Sequence, residues 1–147
     1  MRRLMLDTNI VIDYLARREP FYADARLVML LGALGEAELW VSPSQFNDIF
    51  YIATEGGQKS ASVAAQERLR RLRSFLHICP MGEADIDAAL DSGWADLEDA
   101  TVHRCACSLC VDYLLTRDAT GFADSSVPVA SAAELRKALR GEGLAYE

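Results

Sequence analysis

Short apolar runs recur along this chain at 3–6, 38–41, 75–79, 111–115 and 127–129, and stretches of helical character separate most of them. No other feature restricts the fold as much. Strands that alternate with helices do not close as hairpins; they line up in parallel, and helices cover both faces. The pattern predicts an α/β/α sandwich in three layers around a central, mostly parallel sheet of five strands. Pro128 in the last run favours an edge position for it.

Boundary signals agree with this alternation. Thr8 or Asn9 can cap a helix through Ile10, Val11, Tyr14 and Leu15. A second helix runs from about Tyr22 to Leu34 and stops at Gly35. Ser42-Pro43-Ser44-Gln45 is the sharpest start: a capping serine, proline at the first helical position, and glutamine closing the box. That helix turns Phe46, Ile49, Phe50 and Ala53 inward and ends near Gly56-Gly57. Further helices are expected over 60–74, 83–90 and 97–109, and from the second capping box at Ser131–Glu134 to Gly141. No repeat or linker interrupts the series, so residues 1–147 are expected to form a single domain with a core of its own.

Bulk properties narrow the function classes. No apolar run approaches the roughly 20 residues of a membrane span, and Asp7 arrives too early for a signal peptide. A cytoplasmic protein with no membrane partner is expected. The net charge of −7 disfavours nucleic-acid binding by charge alone, yet suits an enzyme that brings its positive charge as bound metal. Arg68, Arg70, Arg71 and Arg73 are expected to form a solvated helix face, with a phosphate-contacting flank as the functional alternative. Cys79, Cys105, Cys107 and Cys110 are expected to be reduced. On one helix Cys105 points away from Cys107 and Cys110, which argues against a tetrahedral zinc site and for small core residues.

The acids carry the chemistry. In open α/β sheets, ligands bind beyond the carboxyl ends of the strands. Asp7 follows the first strand directly, and Asp48 lies in the helix after the second. Asp96 and Asp99 open the helix before the fourth strand and share a face, and Asp118 follows that strand. Four distant segments thus send carboxylates to one edge of the sheet. Such a cluster is costly unless a cation sits in it. Mg2+ or Mn2+ takes oxygen ligands, keeps waters, and can activate water for phosphodiester cleavage. Each acid also has a structural reading: Asp96 as a helix cap, Asp99 as the acid of a capping box, Asp118 as a turn residue. Asp7 is the hardest to give a structural purpose, whereas Asp13, Asp24, Asp91 and Glu98 are expected to be solvated.

Leu6-Asp7-Thr8-Asn9-Ile10-Val11-Ile12-Asp13 resembles the opening motif of PIN-domain nucleases, many of them VapC-type toxins. Val41–Asp48 resembles the second motif, with Asp48 where glutamate is usual. Asp96-Leu97-Glu98-Asp99-Ala100 matches the third, and Thr116–Phe122 is similar to the fourth. The motifs fall in the family's order over nearly the whole chain. The resemblance implies a PIN-like fold and an endoribonuclease that hydrolyses RNA, leaving 5′-phosphate and 3′-hydroxyl ends. It implies Asp7, Asp48, Asp99 and Asp118 as catalytic acids, with Asp7, Asp96, Asp99 and Asp118 holding Mg2+ or Mn2+. Asn9 and Thr116 would orient them. It also implies the toxin of a type II toxin–antitoxin pair, with a cognate antitoxin as partner and a homodimer as a common state.

Other classes fit less well. A phosphate-accepting receiver domain needs a lysine late in the sheet, and Lys59 and Lys137 are the lysines present. An aspartyl phosphatase needs an acid where Asn9 stands. The competing reading is a PIN-like subunit with weak or absent catalysis that binds an antitoxin or RNA.

Overall fold

The computed structural model describes residues 1–146. Its strands are β1 (Arg2–Leu6), β2 (Ala37–Val41), β3 (Leu76–Ile78), β4 (Tyr113–Leu115) and β5 (Val129–Ala130). They form one sheet in the order β3-β2-β1-β4-β5, and each pairing is parallel. Between them run α1 (Thr8–Leu15), α2 (Tyr22–Ala33), α3 (Pro43–Ala53), α4 (Lys59–Leu72), α5 (Glu83–Asp91) and α6 (Leu97–Ser108), and α7 (Ala132–Gly141) follows β5. The five-stranded α/β sandwich expected from the alternation is the fold observed.

Strand alternation sorts the core into two layers. Leu4 and Leu6 of β1 face Ile10, Val28, Ile49, Leu69 and Leu135, contributed by α1, α2, α3, α4 and α7. Met5, between them, faces Val102, Cys105 and Ala106 of α6 on the other side. This is the period of two that a strand buried on both faces requires. Each fully buried Leu or Ile contributes roughly 1.5–3 kcal/mol relative to exposure. Cys79 and Cys105 are buried in the α6 layer, Cys107 is half-buried and Cys110 exposed, so two of the four thiols are core residues.

Both expected capping boxes form, Ser42 with Gln45 and Ser131 with Glu134. Three details differ from expectation. The cap of α1 is Asp7, whose side chain accepts the Thr8 N–H, so this acid does have a structural purpose. The fourth strand begins at Tyr113 rather than Val111, because the end of α6 consumes the preceding residues: Cys110 has φ +51°, and the Val111 N–H closes back on the Ala106 carbonyl. The fifth strand is Val129–Ala130 rather than 127–129, since Val127 is held in a turn by Ser125. Among the described residues no helix is long and apolar enough to cross a membrane.

The strand order sets the site. From β1 the chain steps to β2 and β3 on one side, then crosses to β4 on the other. The reversal leaves a crevice beyond the ends of β1 and β4, the place where open α/β sheets bind ligands.

Candidate active site

Two groups of acids meet at this crevice. The first is tied by hydrogen bonds across the β1–β4 seam. Asp7 is 9% exposed. Its Oδ1 accepts the Thr8 N–H at 2.8 Å, and its Oδ2 accepts the Thr116 hydroxyl at 2.7 Å and the Asn9 amide at 3.3 Å. Thr116 Oγ1 in turn accepts the Asp118 N–H at 2.9 Å, and the Asn9 side-chain oxygen accepts the Arg117 N–H at 3.3 Å. Asn9 and Thr116 thereby link the turn after β1 to the turn after β4. Burial raises the pKa of Asp7, the hydrogen bonds from Thr116 and Thr8 work against that, and the charges of Asp118 and Asp96 add to it.

Asp118 opens a short 3-10 turn over Ala119–Phe122 that the sequence reading did not foresee. Its Oδ1 accepts the Thr120 hydroxyl at 2.8 Å and the Gly121 N–H at 3.3 Å. The other oxygen, Oδ2, points at Gly121 from one side while Asp99 Oδ2 does so from the other. A methyl group on Gly121 would lie 2.8 Å from each. Glycine leaves room for this close approach, since a side chain here would push one or both carboxylates aside.

The second group comes from helices. Asp96 caps α6 by accepting the Asp99 N–H at 3.1 Å. Asp99 has its pKa pushed up to about 6, by burial first and then by the charges of Asp96, Asp7, Asp118 and Glu98. Asp48 sits exposed on α3, and its carboxylate meets Glu98. Burial, followed by the charges of Asp48, Asp7 and Asp96, raises Glu98 as well. Glu98 is exposed, as expected, yet the neighbouring charges place it at the rim of the acid cluster. Its position beside Asp99 in the first turn of α6 was the only signal for it.

Asp13 departs from the expectation that it is solvated. It is 1% exposed, and Arg117 grips it with Nε at 2.6 Å and Nη2 at 3.1 Å. The Arg117 guanidinium also lies 4.1 Å from the Phe21 ring centroid. A buried carboxylate needs such a partner, and this one anchors the segment between Thr116 and Asp118. Asp24 is likewise paired, with Arg136 at 2.6 Å. Asp91 is exposed, as are Arg68, Arg70, Arg71 and Arg73.

Among the described residues no group of three or more His, Cys, Asp or Glu side chains is disposed to hold one ion. The pair that converges is Asp99 with Asp118, and a few carboxylates completed by water are an ordinary Mg2+ arrangement. Oxygen-only donors, with Asp7 and Asp99 raised by burial and by neighbouring acids, fit a hard divalent cation.

Fold and site together define a parallel α/β protein with an acidic pocket at its topological switch point. The model of the PIN domain family matches residues 3–120, and the chain belongs to that family. No curated protein sequence matches the chain. Solved structures share its fold. VapBC-1 from nontypeable Haemophilus influenzae has a TM-score of 0.65 at 20% identity, covering 89% of this chain and 98% of that one. A toxin–antitoxin complex from Klebsiella pneumoniae has 0.63 at 21%, covering 88% and 97%. VapC20 of Mycobacterium tuberculosis, described as a sarcin–ricin loop cleaving toxin, has 0.62 at 15%, covering 82% and 94%.

Proposed function

We propose that this protein is a metal-dependent endoribonuclease that hydrolyses RNA phosphodiester bonds as the toxin of a type II toxin–antitoxin pair. The observation that carries the reading is the meeting of Asp99 and Asp118 around Gly121, beside the buried Asp7. Asp7, Asp96, Asp99 and Asp118 are the residues that would hold Mg2+ or Mn2+, and Asp48 is the further catalytic acid. A bound ion supplies the positive charge that offsets these carboxylates and polarises the scissile phosphate. Thr116 and Asn9 keep Asp7 in one orientation, and the Arg117–Asp13 pair keeps the Thr116–Asp118 turn in place. Glu98, longer than Asp48 by one methylene, extends the acid set on the α3 side.

The toxin–antitoxin complexes among proteins of this fold support an antitoxin partner, and the toxin named for sarcin–ricin loop cleavage supports RNA as substrate. An antitoxin arginine reaching the pocket would pair with the carboxylates in the same way a cation does. A cytoplasmic, single-domain protein that forms homodimers completes the proposal.

The test compares RNA cleavage by the wild type and Asp7→Asn, with and without EDTA. Cleavage is expected only for the wild type with divalent metal. Metal-independent cleavage, or cleavage that survives Asp7→Asn, would sink the mechanism. The exposed Asp48, a methylene shorter than the usual glutamate, favours one second reading, a non-catalytic subunit. Tight antitoxin binding without cleavage of any RNA would support it.

A further inference from the structure

A cleft of about 300 Å3 lies against the acid cluster, and its lining includes Trp94, Asp96, Asp99, Thr120 and Gly121. None of the lining side chains is lysine or arginine. No side chain lining the cleft carries positive charge to meet the phosphates of an RNA strand, in a protein whose net charge is already −7. Affinity at this edge must come from something other than charge. The one large side chain on offer is the indole of Trp94.

That indole is held firmly. His103 stacks on it, with centroids 4.6 Å apart and planes 24° apart, and Phe122 meets it edgewise at 5.8 Å. The His103 ring is fixed in turn: its Nε2 accepts the Ser126 N–H at 3.1 Å, with the Ser126 hydroxyl 3.2 Å away. Burial lowers the pKa of His103, in keeping with a neutral ring whose Nε2 accepts. Trp94 is half-buried and lines the cleft beside Asp96 and Asp99. A rigid aromatic surface next to a phosphate-cleaving centre is how nucleic acid is held when phosphate contacts are lacking, because each base has a π face.

We infer that Trp94 is a stacking wall for an unpaired nucleobase beside the acid cluster. The inference rests on the nuclease reading above. A paired base keeps both faces within its own helix and cannot reach the wall. His103 is a positioning residue, acting on RNA only through the indole.

The chain has two tryptophans, so Trp40→Phe leaves Trp94 as the sole reporter. The exchange also removes the one buried side-chain N–H without a partner among the described residues, and is expected to be tolerated. In this variant, with EDTA present, an unstructured oligoribonucleotide should quench the fluorescence. An abasic strand of equal length and a blunt duplex should not. In cleavage assays with Mg2+, Trp94→Ala should raise KM for the unstructured RNA by roughly 5- to 100-fold, with a much smaller change in kcat. Trp94→Phe should restore most of the loss.

Equal quenching by the abasic strand, no quenching by any RNA, or an unchanged KM in Trp94→Ala would each overturn the inference. The two readings fail separately. Cleavage with an unchanged KM in Trp94→Ala removes the wall and leaves the nuclease. Base-dependent quenching by a protein that cleaves no RNA removes the nuclease and supports the wall.

Discussion

The two halves of the acidic crevice are built on different principles. At the strand ends, Asp7 and Asp118 are held by named donors, with Thr116 bonded to both residues at once. On the helices, Asp48 and Glu98 meet each other as like charges, and Asp99 is flanked by acids with no cationic partner. One half is tied across the β1–β4 seam by hydrogen bonds from Thr116 and Asn9; the other brings acids of α3 and α6 together with no such donor between them. The difference teaches that clustering alone does not rank the acids. Their anchoring does.

The sharpest way to break the comparison is to remove an anchored acid. Asp118→Asn should lower RNA cleavage by at least about 100-fold, since losing a ligand should exceed the roughly 10- to 100-fold that supporting groups cost. Loss of the support alone comes next. Thr116→Val keeps the shape but deletes the hydroxyl shared by Asp7 and Asp118, and kcat should fall about 10- to 100-fold with folding largely retained. A smaller effect is expected on the helix side: Asp48→Ala should cost less than about 10-fold, because Asp48 is exposed and the group it meets is another exposed acid, Glu98. A loss from Asp48→Ala as large as that from Asp118→Asn would erase the distinction between the halves.

The smallest effect concerns stability. Asp99 binds its proton more tightly when folded, with a pKa of about 6 against 3.8. A raised carboxylate pKa favours the folded state at low pH, and that contribution is lost as pH rises from about 4 through 6. In EDTA, Asp99→Asn should therefore melt about 1–3 °C above the wild type at pH 7 and no higher at pH 4, the partial exposure of Asp99 keeping the difference small. Mg2+ should narrow the gap by stabilising the wild type alone. A gap that does not vary with pH would show that charge repulsion is not its source.

Much of this was legible in the sequence because it is local. The strand runs, both capping boxes and the acids that follow β1 and β4 are written in neighbouring residues. The rest depends on partners far away along the chain. Asp13 looks like an ordinary surface acid until Arg117, 104 residues later, is folded onto it. Removing that arginine should leave a buried, unpaired charge, a change that typically costs about 3–5 kcal/mol. That the exposed Glu98 meets Asp48 was not legible, because the approach of α3 to the first turn of α6 brings together residues 50 positions apart. Asp7 was legible as an acid directly after β1 but not as the cap of α1, a task its Oδ1 performs while Oδ2 takes Thr116 and Asn9.

The seam between β1 and β4 also governs timing. Leu4, Met5 and Leu6 pair with Tyr113, Leu114 and Leu115, and the Asp7 N–H donates to the Leu115 carbonyl at 2.9 Å. The two sides of this junction are separated by more than a hundred residues, so closing it is a long-range event in folding. Asp7 is made more than a hundred residues before Thr116, Asp118 and the Gly121 cradle. The acid cluster is thus incomplete until residue 121 has been synthesised. The activity proposed above can therefore arise only after the β1–β4 seam and the Gly121 turn have both closed.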